Sequence, residues 1–313
     1  MHNQLICITG PTASGKTALS IALAKARGTE IISADSMQIY RGMDIGTAKP
    51  TAAEQAMVPH HMIDVVDPGE AFSVARYVQM ADACAQTLLT SGKIPIVVGG
   101  TGLYLDALIQ GSDFPGDETD RSIREKYERM AREQGNTAVH ACLMRVDPVA
   151  AARLHPNNLK RVIRALEVFE QTGMPIDTFN AQNKRPEPRY NAIKIGLCPS
   201  DREILYARIN RRVDQMMEDG LLAEAERLFR DGKLCGTAAQ AIGYKELSDY
   251  FAGNSPLETC IETLKRRTRN YAKRQLTWLR RNPKVHWLTY DADADFAEVF
   301  QRSTDYLASQ GIQ

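Results

Sequence analysis

GPTASGKT, residues 10–17, matches in full the pattern of glycine, four residues, glycine, lysine, and serine or threonine. The apolar run QLICIT (residues 4–9) precedes it, and ALSIALAKARG, with apolar positions at helical spacing, follows it. Strand, loop and helix therefore stand in the order that a phosphate site requires. Gly10 and Gly15 let the backbone fold tightly and turn its N–H groups toward an anion, and the helix N-terminus adds its positive dipole. Lys16 supplies a full charge, and the Thr17 hydroxyl is placed to hold a magnesium ion. Gly10, Pro11, Thr12, Ala13, Ser14, Gly15, Lys16 and Thr17 together form a candidate diphosphate site. Whatever binds carries at least two phosphates, and the motif alone leaves ATP and other diphosphates open.

The rest of the composition sets bounds on this reading. A chain of 313 residues, 43% hydrophobic and 25% charged, is long enough for a large core plus a second module and has the balance of a soluble globular protein. The N-terminus enters a strand almost at once without the pattern of a signal peptide, and no apolar run approaches membrane-spanning length, so a cytoplasmic protein away from membranes is expected. Six cysteines without a CxxC pair argue against a zinc site or a disulfide framework. A net charge of +1 does not suggest nucleic acid, but an average can conceal a cluster.

Along the chain, a second apolar run at residues 30–34 ends at Asp35, a position that faces the ligand crevice in a doubly wound sheet. Asp35 is a candidate for chemistry, with a helix cap or a magnesium-water contact as the plainer alternative. His60 and His61 adjoin, which does not suit a shared metal, so a structural or substrate-lining role is expected. Residues 72–93 have helical periodicity, and the β-branched run at 94–100 reads as a buried strand. In many P-loop ATPases such a strand ends in an acid that helps to hold magnesium. Here Thr101 follows two glycines, either as a hydrogen-bonding group of the site or as the cap of a helix at 102–109.

Composition shifts at 111–121, a Gly, Asp and Pro-rich linker. A helical block follows, at 120–134, 137–143, 148–154 and 159–172, and ends in a Pro-rich break at 184–190. A core-like strand at 191–197 appears only afterwards, so the block reads as an insertion. The expected fold is α/β, a P-loop NTPase-like parallel sheet flanked by helices, with residues 1–112 and 191–313 in the core domain and 113–190 in an inserted all-helical domain. The insert carries Lys160, Arg161 and Arg164 at the start of one helix. Ser200 and Glu203 read as a capping box opening a helix on which Arg208 and Arg212 share a face, either solvated or as a second clamp on the diphosphate. The stretch 265–281, KRRTRNYAKRQLTWLRR, has eight Lys or Arg and no acid, with Tyr271 and Trp278 interleaved. Basic groups neutralise phosphates and aromatic faces stack on bases, so a nucleic-acid contact is favoured over a solvated face. A strand at 284–288 and a helix at 294–309 close the chain.

GPTASGKT, DSMQIYRGMDIGTAKP, PHHMIDVVDP, FSVARY, VVGGTGLY, HPNNLKRVIRALEV, AIGYKE and YAKRQLTWLRR occur in this order. Their conjunction resembles the tRNA dimethylallyltransferase (tRNA isopentenyltransferase) family over nearly the whole chain. The chain stops near residue 313 without the zinc-finger extension of eukaryotic relatives, which implies the bacterial form. Asn158 departs from the pattern, which has Asp there more often.

The resemblance implies transfer of a dimethylallyl group from dimethylallyl diphosphate to N6 of the adenosine 3′-adjacent to the anticodon, in tRNAs reading codons that begin with U. Asp35 is then the candidate base for the amine, and Thr101 orients the amine or the bridging oxygen. Arg208 is an extra diphosphate contact, and Thr17 is the ligand of Mg2+. The resemblance also places contacts to the tRNA anticodon stem-loop at Asp35, Ser36, Met37, Gln38, Thr101 and Ile123, and at Leu159, Lys160, Arg161, Val162 and Ile163. Further contacts fall at Gln240, Ala241, Ile242, Gly243, Tyr244 and Lys245, and at Lys273, Arg274, Gln275, Leu276, Thr277, Trp278, Leu279 and Arg280. Nothing suggests more than a monomer. The rival readings are a P-loop small-molecule kinase, which consumes ATP and has no need of the basic helix, and a non-catalytic RNA-binding protein, which makes no product.

Overall fold

The computed structural model describes residues 3–112, 121–183, 187–292 and 294–312. The first strand, β1 (Gln4–Thr9), leads through the phosphate loop into α1 (Lys16–Arg27). Then come β2 (Ile31–Ser33), α2 (Ala52–Met57), β3 (His60–His61), α3 (Val74–Thr90), β4 (Ile96–Gly99) and α4 (Gly102–Gln110). Five helices follow: α5 (Arg121–Gln134), α6 (Asn136–Val146), α7 (Pro148–Arg153), α8 (Leu159–Thr172) and α9 (Ile176–Gln182). The chain returns to the sheet at β5 (Asn191–Pro199) and continues through α10 (Arg202–Glu218), α11 (Leu221–Arg230), α12 (Ser248–Phe251), α13 (Leu257–Leu279), β6 (Val285–Tyr290) and α14 (Phe296–Ser309).

The strands form one parallel sheet in the order β3-β2-β4-β1-β5-β6. Helices cover both faces, so the central strands are apolar throughout instead of alternating: Leu5, Ile6, Ile8, Ile96, Val97 and Ile195 are fully buried. Parallel order puts the carboxyl ends of β1, β2, β4 and β5 along one edge, where the phosphate loop, Asp35 and Thr101 emerge. The second apolar run is shorter than its sequence suggests, three residues, and β4 lies between β2 and β1.

Two compact units divide the chain, Met1–Gly111 with Pro188–Gln313, and Ser112–Glu187. The second is all helical. Its core gathers Tyr127, Val139, Leu143, Ala150, Val162, Ile163 and Leu166, and Arg124 makes a paired contact with the buried Glu167 at 2.7 and 2.9 Å. Its C-terminal boundary falls before Pro188, not at 191, because Tyr190 belongs to the sheet unit. That side chain is buried, donating to Asp82 at 2.6 Å and accepting from Gln86 at 2.7 Å. The two expected linkers lie partly outside the described residues, at 113–120 and 184–186.

Local chemistry differs from expectation at several helix ends. Ser200 does not cap α10; Asp201 does, accepting from the Glu203 N–H at 2.8 Å, while the Ser200 hydroxyl bonds Asp291. Asn158, where aspartate was expected, stands at the start of α8 without a side-chain cap bond. Helices α2, α9, α11 and α12 were not anticipated, although α2 opens with a capping box formed by Thr51 and Glu54.

Candidate active site

The phosphate loop is braced from three sides. The Thr12 N–H donates to the Gln275 carboxamide oxygen at 2.9 Å, Arg208 Nε donates to the Ala13 carbonyl at 2.9 Å, and the Tyr290 hydroxyl donates to the Ser14 carbonyl at 2.8 Å. Gly10 lies so close to β5 that a Cβ would stand 2.2 Å from the Leu197 carbonyl oxygen, which only glycine permits. Gly15 caps α1 in the left-handed region at φ 87, and Ala13 is also left-handed at φ 63. Such turns aim successive N–H groups into one concavity.

Lys16 Nζ donates to the Pro11 carbonyl at 2.6 Å. Burial, and next the positive charge of Arg212, lower its pKa to about 7, and Asp35 offsets part of this. Burial also lowers the Arg212 pKa, again against a raising effect of Asp35. Among the described residues Arg212 makes no ion pair. Two half-buried cations beside one carboxylate leave an excess of positive charge that an anion would neutralise.

Asp35 follows β2, and its Oδ1 accepts from the N–H groups of Met37 (2.8 Å) and Gln38 (3.4 Å). This local cap fixes the side chain, and Oδ2 has no partner among the described residues. The Ser36 N–H donates to Thr101 Oγ1 at 3.2 Å, and the Thr101 side chain makes no cap bond to α4. The hydroxyl therefore ties the β2 end to the β4 end. Tyr271 stands beside Thr101 and Gln275; burial, and then the Asp35 charge, push its phenol well above the ordinary range, so it is a neutral donor. Gln275 also donates to the Gly100 carbonyl at 3.1 Å.

Lys16, Asp35, Ser36, Arg212, Tyr271 and Gln275 line one cavity of about 300 Å³, whose other walls include Ile63, Val98, Val213, Met216 and Leu264. A second, wider cavity of about 830 Å³ holds Arg208 and Arg211. Lys16, Thr17, Ala48, Pro50, Arg212 and Met216 line both. Charged, polar and aliphatic side chains around one cavity suit a ligand that has both an ionic and a hydrocarbon part. For magnesium, Thr17 is one hydroxyl donor at the head of α1; such ions take one or two protein ligands and complete their shell with phosphate oxygens and water, so the donor set fits. No group of three or more His, Cys, Asp or Glu suited to a metal occurs among the described residues. His60 lines the cavity, its Nδ1 2.7 Å from the Val58 carbonyl oxygen, whereas His61 contacts Glu30 at 2.7 Å.

The expected nucleic-acid residues divide by exposure. On α13, Lys273, Arg274, Thr277 and Arg280 are exposed, or nearly so, and Arg274 also lines the cavity. Gln275 and Leu279 are buried, Leu276 packs against Leu205 and Ile209, and Trp278 Nε1 donates to Asp106 at 2.9 Å. Both aromatics of the basic stretch are half-buried, and Trp278 is held at its ring edge. In the 240–245 loop, Gln240 and Lys245 are exposed and joined at 2.9 Å; Ala241 and Tyr244 are buried, and Ile242 and Gly243 line the cavity. Ser36, Met37 and Gln38 line it too. Within the helical unit, Lys160 and Arg161 are exposed, but Val162 and Ile163 are core residues, and Ile123 and Leu159 pack against that core. The Tyr271 hydroxyl is a site group that the sequence did not single out, and Arg212, offered with Arg208 as a second clamp, is the one of the two that lines the cavity.

Fold and site together define a P-loop protein whose β4 edge carries glycines and a threonine where many P-loop ATPases carry an acid. Residues 38–282 match the family described as IPP transferase, and residues 3–63 match isopentenyl transferase. A tRNA dimethylallyltransferase of Acetivibrio thermocellus is 47% identical over 313 residues, spanning 100% of this chain and 99% of that one, and one from Halalkalibacterium halodurans is 46% identical over 99% and 98%. The crystal structure of the tRNA isopentenylpyrophosphate transferase from Bacillus halodurans superposes with a TM-score of 0.73 at 46% identity over 98% of this chain and 96% of that one. A eukaryotic dimethylallyltransferase acting on tRNA gives 0.83 at 30% identity over 98% and 80%. The chain belongs to the IPP transferase family of tRNA dimethylallyltransferases.

Proposed function

We propose that the protein transfers the dimethylallyl group of dimethylallyl diphosphate to N6 of the adenosine 3′-adjacent to the anticodon, in tRNAs reading codons that begin with U. Family membership supports the reaction, and the observation that carries its placement is the Lys16 and Arg212 pair at the polar part of a cavity that also has aliphatic walls.

The diphosphate takes the phosphate-loop N–H groups, Lys16 and Arg212, while the prenyl tail takes the aliphatic part. Mg2+ on Thr17 would neutralise part of the leaving-group charge. As the C1–O bond breaks, both cations stabilise the charge growing on the bridging oxygen. The adenine lone pair is delocalised, so N6 attacks well only if its proton is taken as the N6–C1 bond forms. Asp35 Oδ2 accepts that proton, and Thr101 with Tyr271 orients the reacting groups. Arg208 acts on the diphosphate through the Ala13 carbonyl, shaping the loop.

Extrusion of the stacked adenine costs a few kcal/mol. Contacts to phosphates from Lys160, Arg161, Lys245, Lys273, Arg274 and Arg280 offset it, with polar contacts from Gln240 and Thr277. One copy of the chain, acting in the cytoplasm, suffices.

The test is incubation of unmodified tRNA with labelled dimethylallyl diphosphate, then nuclease digestion. Label in the adenosine next to the anticodon is the expected result; label absent from tRNA, with ATP hydrolysed instead, would favour the kinase reading.

A further inference from the structure

Glu224 on α11 is 8% exposed, and no Lys or Arg pairs with it among the described residues. Its partners are three backbone N–H groups and one hydroxyl. Oε2 accepts from the N–H groups of Asp44 (3.1 Å) and Ile45 (3.0 Å), and Oε1 accepts from the Gly46 N–H (3.1 Å) and the Tyr244 hydroxyl (2.6 Å). Three successive N–H groups form the kind of concavity that binds an anion, and here a side chain of the protein fills it.

The loop so held is also tied by the Thr47 hydroxyl to the Met43 carbonyl and by Gln38 to the Ala48 carbonyl. Ala48 sits in the left-handed region at φ 50, a conformation that a non-glycine residue keeps only when its surroundings over-determine it. A Cβ on Gly46 would stand 2.6 Å from the Tyr244 ring, so this loop and the 240–246 loop meet at van der Waals contact. Glu246, also buried, fixes the second loop by accepting from the Gly243 N–H at 2.9 Å and from Arg267 at 3.0 Å. Gly46, Thr47 and Ala48 of one loop and Ile242 and Gly243 of the other line the cavity of Lys16 and Arg212.

We propose that Glu224 is a positioning residue for the prenyl donor. Without touching substrate, it locks the two loops together through Tyr244 and sets the cavity wall before the donor arrives. This inference rests on the reading that the donor occupies that cavity. Glu224→Gln keeps the side-chain shape but turns an amide N–H₂ toward N–H donors, and Tyr244→Phe removes one hydroxyl.

The experiment measures steady-state transfer from dimethylallyl diphosphate to unmodified tRNA, with melting temperature and tRNA affinity recorded for the same full-length proteins. The donor KM is expected to rise about tenfold in Glu224→Gln and about threefold in Tyr244→Phe, with kcat at saturating donor within about threefold of wild type and tRNA affinity within about twofold. A purely structural Glu224 would lower the melting temperature and leave the donor KM of the folded protein within about twofold of wild type, and that result overturns the proposal. Should Glu224→Gln fail to fold, Tyr244→Phe carries the same decision. Wild-type protein that transfers nothing from dimethylallyl diphosphate defeats the donor reading and this inference with it; transfer with unchanged variant KM defeats this inference alone.

Discussion

Asp35 and Arg212 show what a sequence does and does not disclose about single residues. Asp35 was legible because it ends an apolar run, and in a parallel sheet that is where the ligand edge lies. Oδ1 caps the following turn, and Oδ2, which has no partner among the described residues, is the oxygen proposed as the base. The spacing of Arg208 and Arg212 offered both as a clamp on the diphosphate, but one shared helix face does not say which of them reaches the cavity. In the fold Arg208 reaches a loop carbonyl while Arg212 lines the cavity. Asp35→Asn is therefore expected to bind tRNA normally and to lose about 10²-fold or more in single-turnover rate, the range for a missing general base. A near-normal rate would remove Asp35 from that role. Arg212→Ala is expected to raise the donor KM about tenfold or more while melting close to wild type, since the half-buried cation removed has no ion pair among the described residues, and the two readings come from the same preparation.

Among the elements, the basic character of α13 was legible in the sequence, and the setting of its two aromatics was not. Charge is visible residue by residue, but which face of a 23-residue helix turns inward depends on partners distant in sequence, here Asp106 for Trp278 and Thr101 for Tyr271. Lys273, on the exposed face, is expected to contact a phosphate. Lys273→Ala should reduce the slope of log affinity for tRNA against log salt by about one unit, and an unchanged slope would mean that Lys273 points away from the RNA. The edge strand β3 gives a pH prediction. A hydrogen bond to the Cys84 sulfur, followed by the bond to Glu30, raises the His61 pKa to about 9 from an ordinary 6.5. The folded state thus holds this proton more tightly, so the stabilisation is complete below about pH 6.5 and is lost as pH rises toward 9. The melting temperature should fall across that interval in the wild type, and the fall should flatten in His61→Gln.

For the whole molecule, the phosphate loop and the ordered apolar runs were enough to give a parallel α/β sheet interrupted by a helical block, because burial on both faces makes core strands continuous in sequence. What stayed hidden was strand order and the wall built by Glu224, since each depends on residues far apart in the chain. Short helices such as α12 also escaped notice, their four residues carrying too little periodicity to read. Among the described residues no helix is long and apolar enough to cross a membrane. The central claim concerns the phosphate loop, built like one that holds nucleotides and used here for a leaving diphosphate. It is tested most directly by a single-turnover reaction containing enzyme, unmodified tRNA, labelled dimethylallyl diphosphate and ATP, in which prenylated tRNA, released diphosphate and ATP are all quantified. One diphosphate released per prenyl group gained by tRNA, with ATP intact, is the predicted result; ATP consumed in step with turnover, or diphosphate unreleased while tRNA stays unmodified, would contradict it.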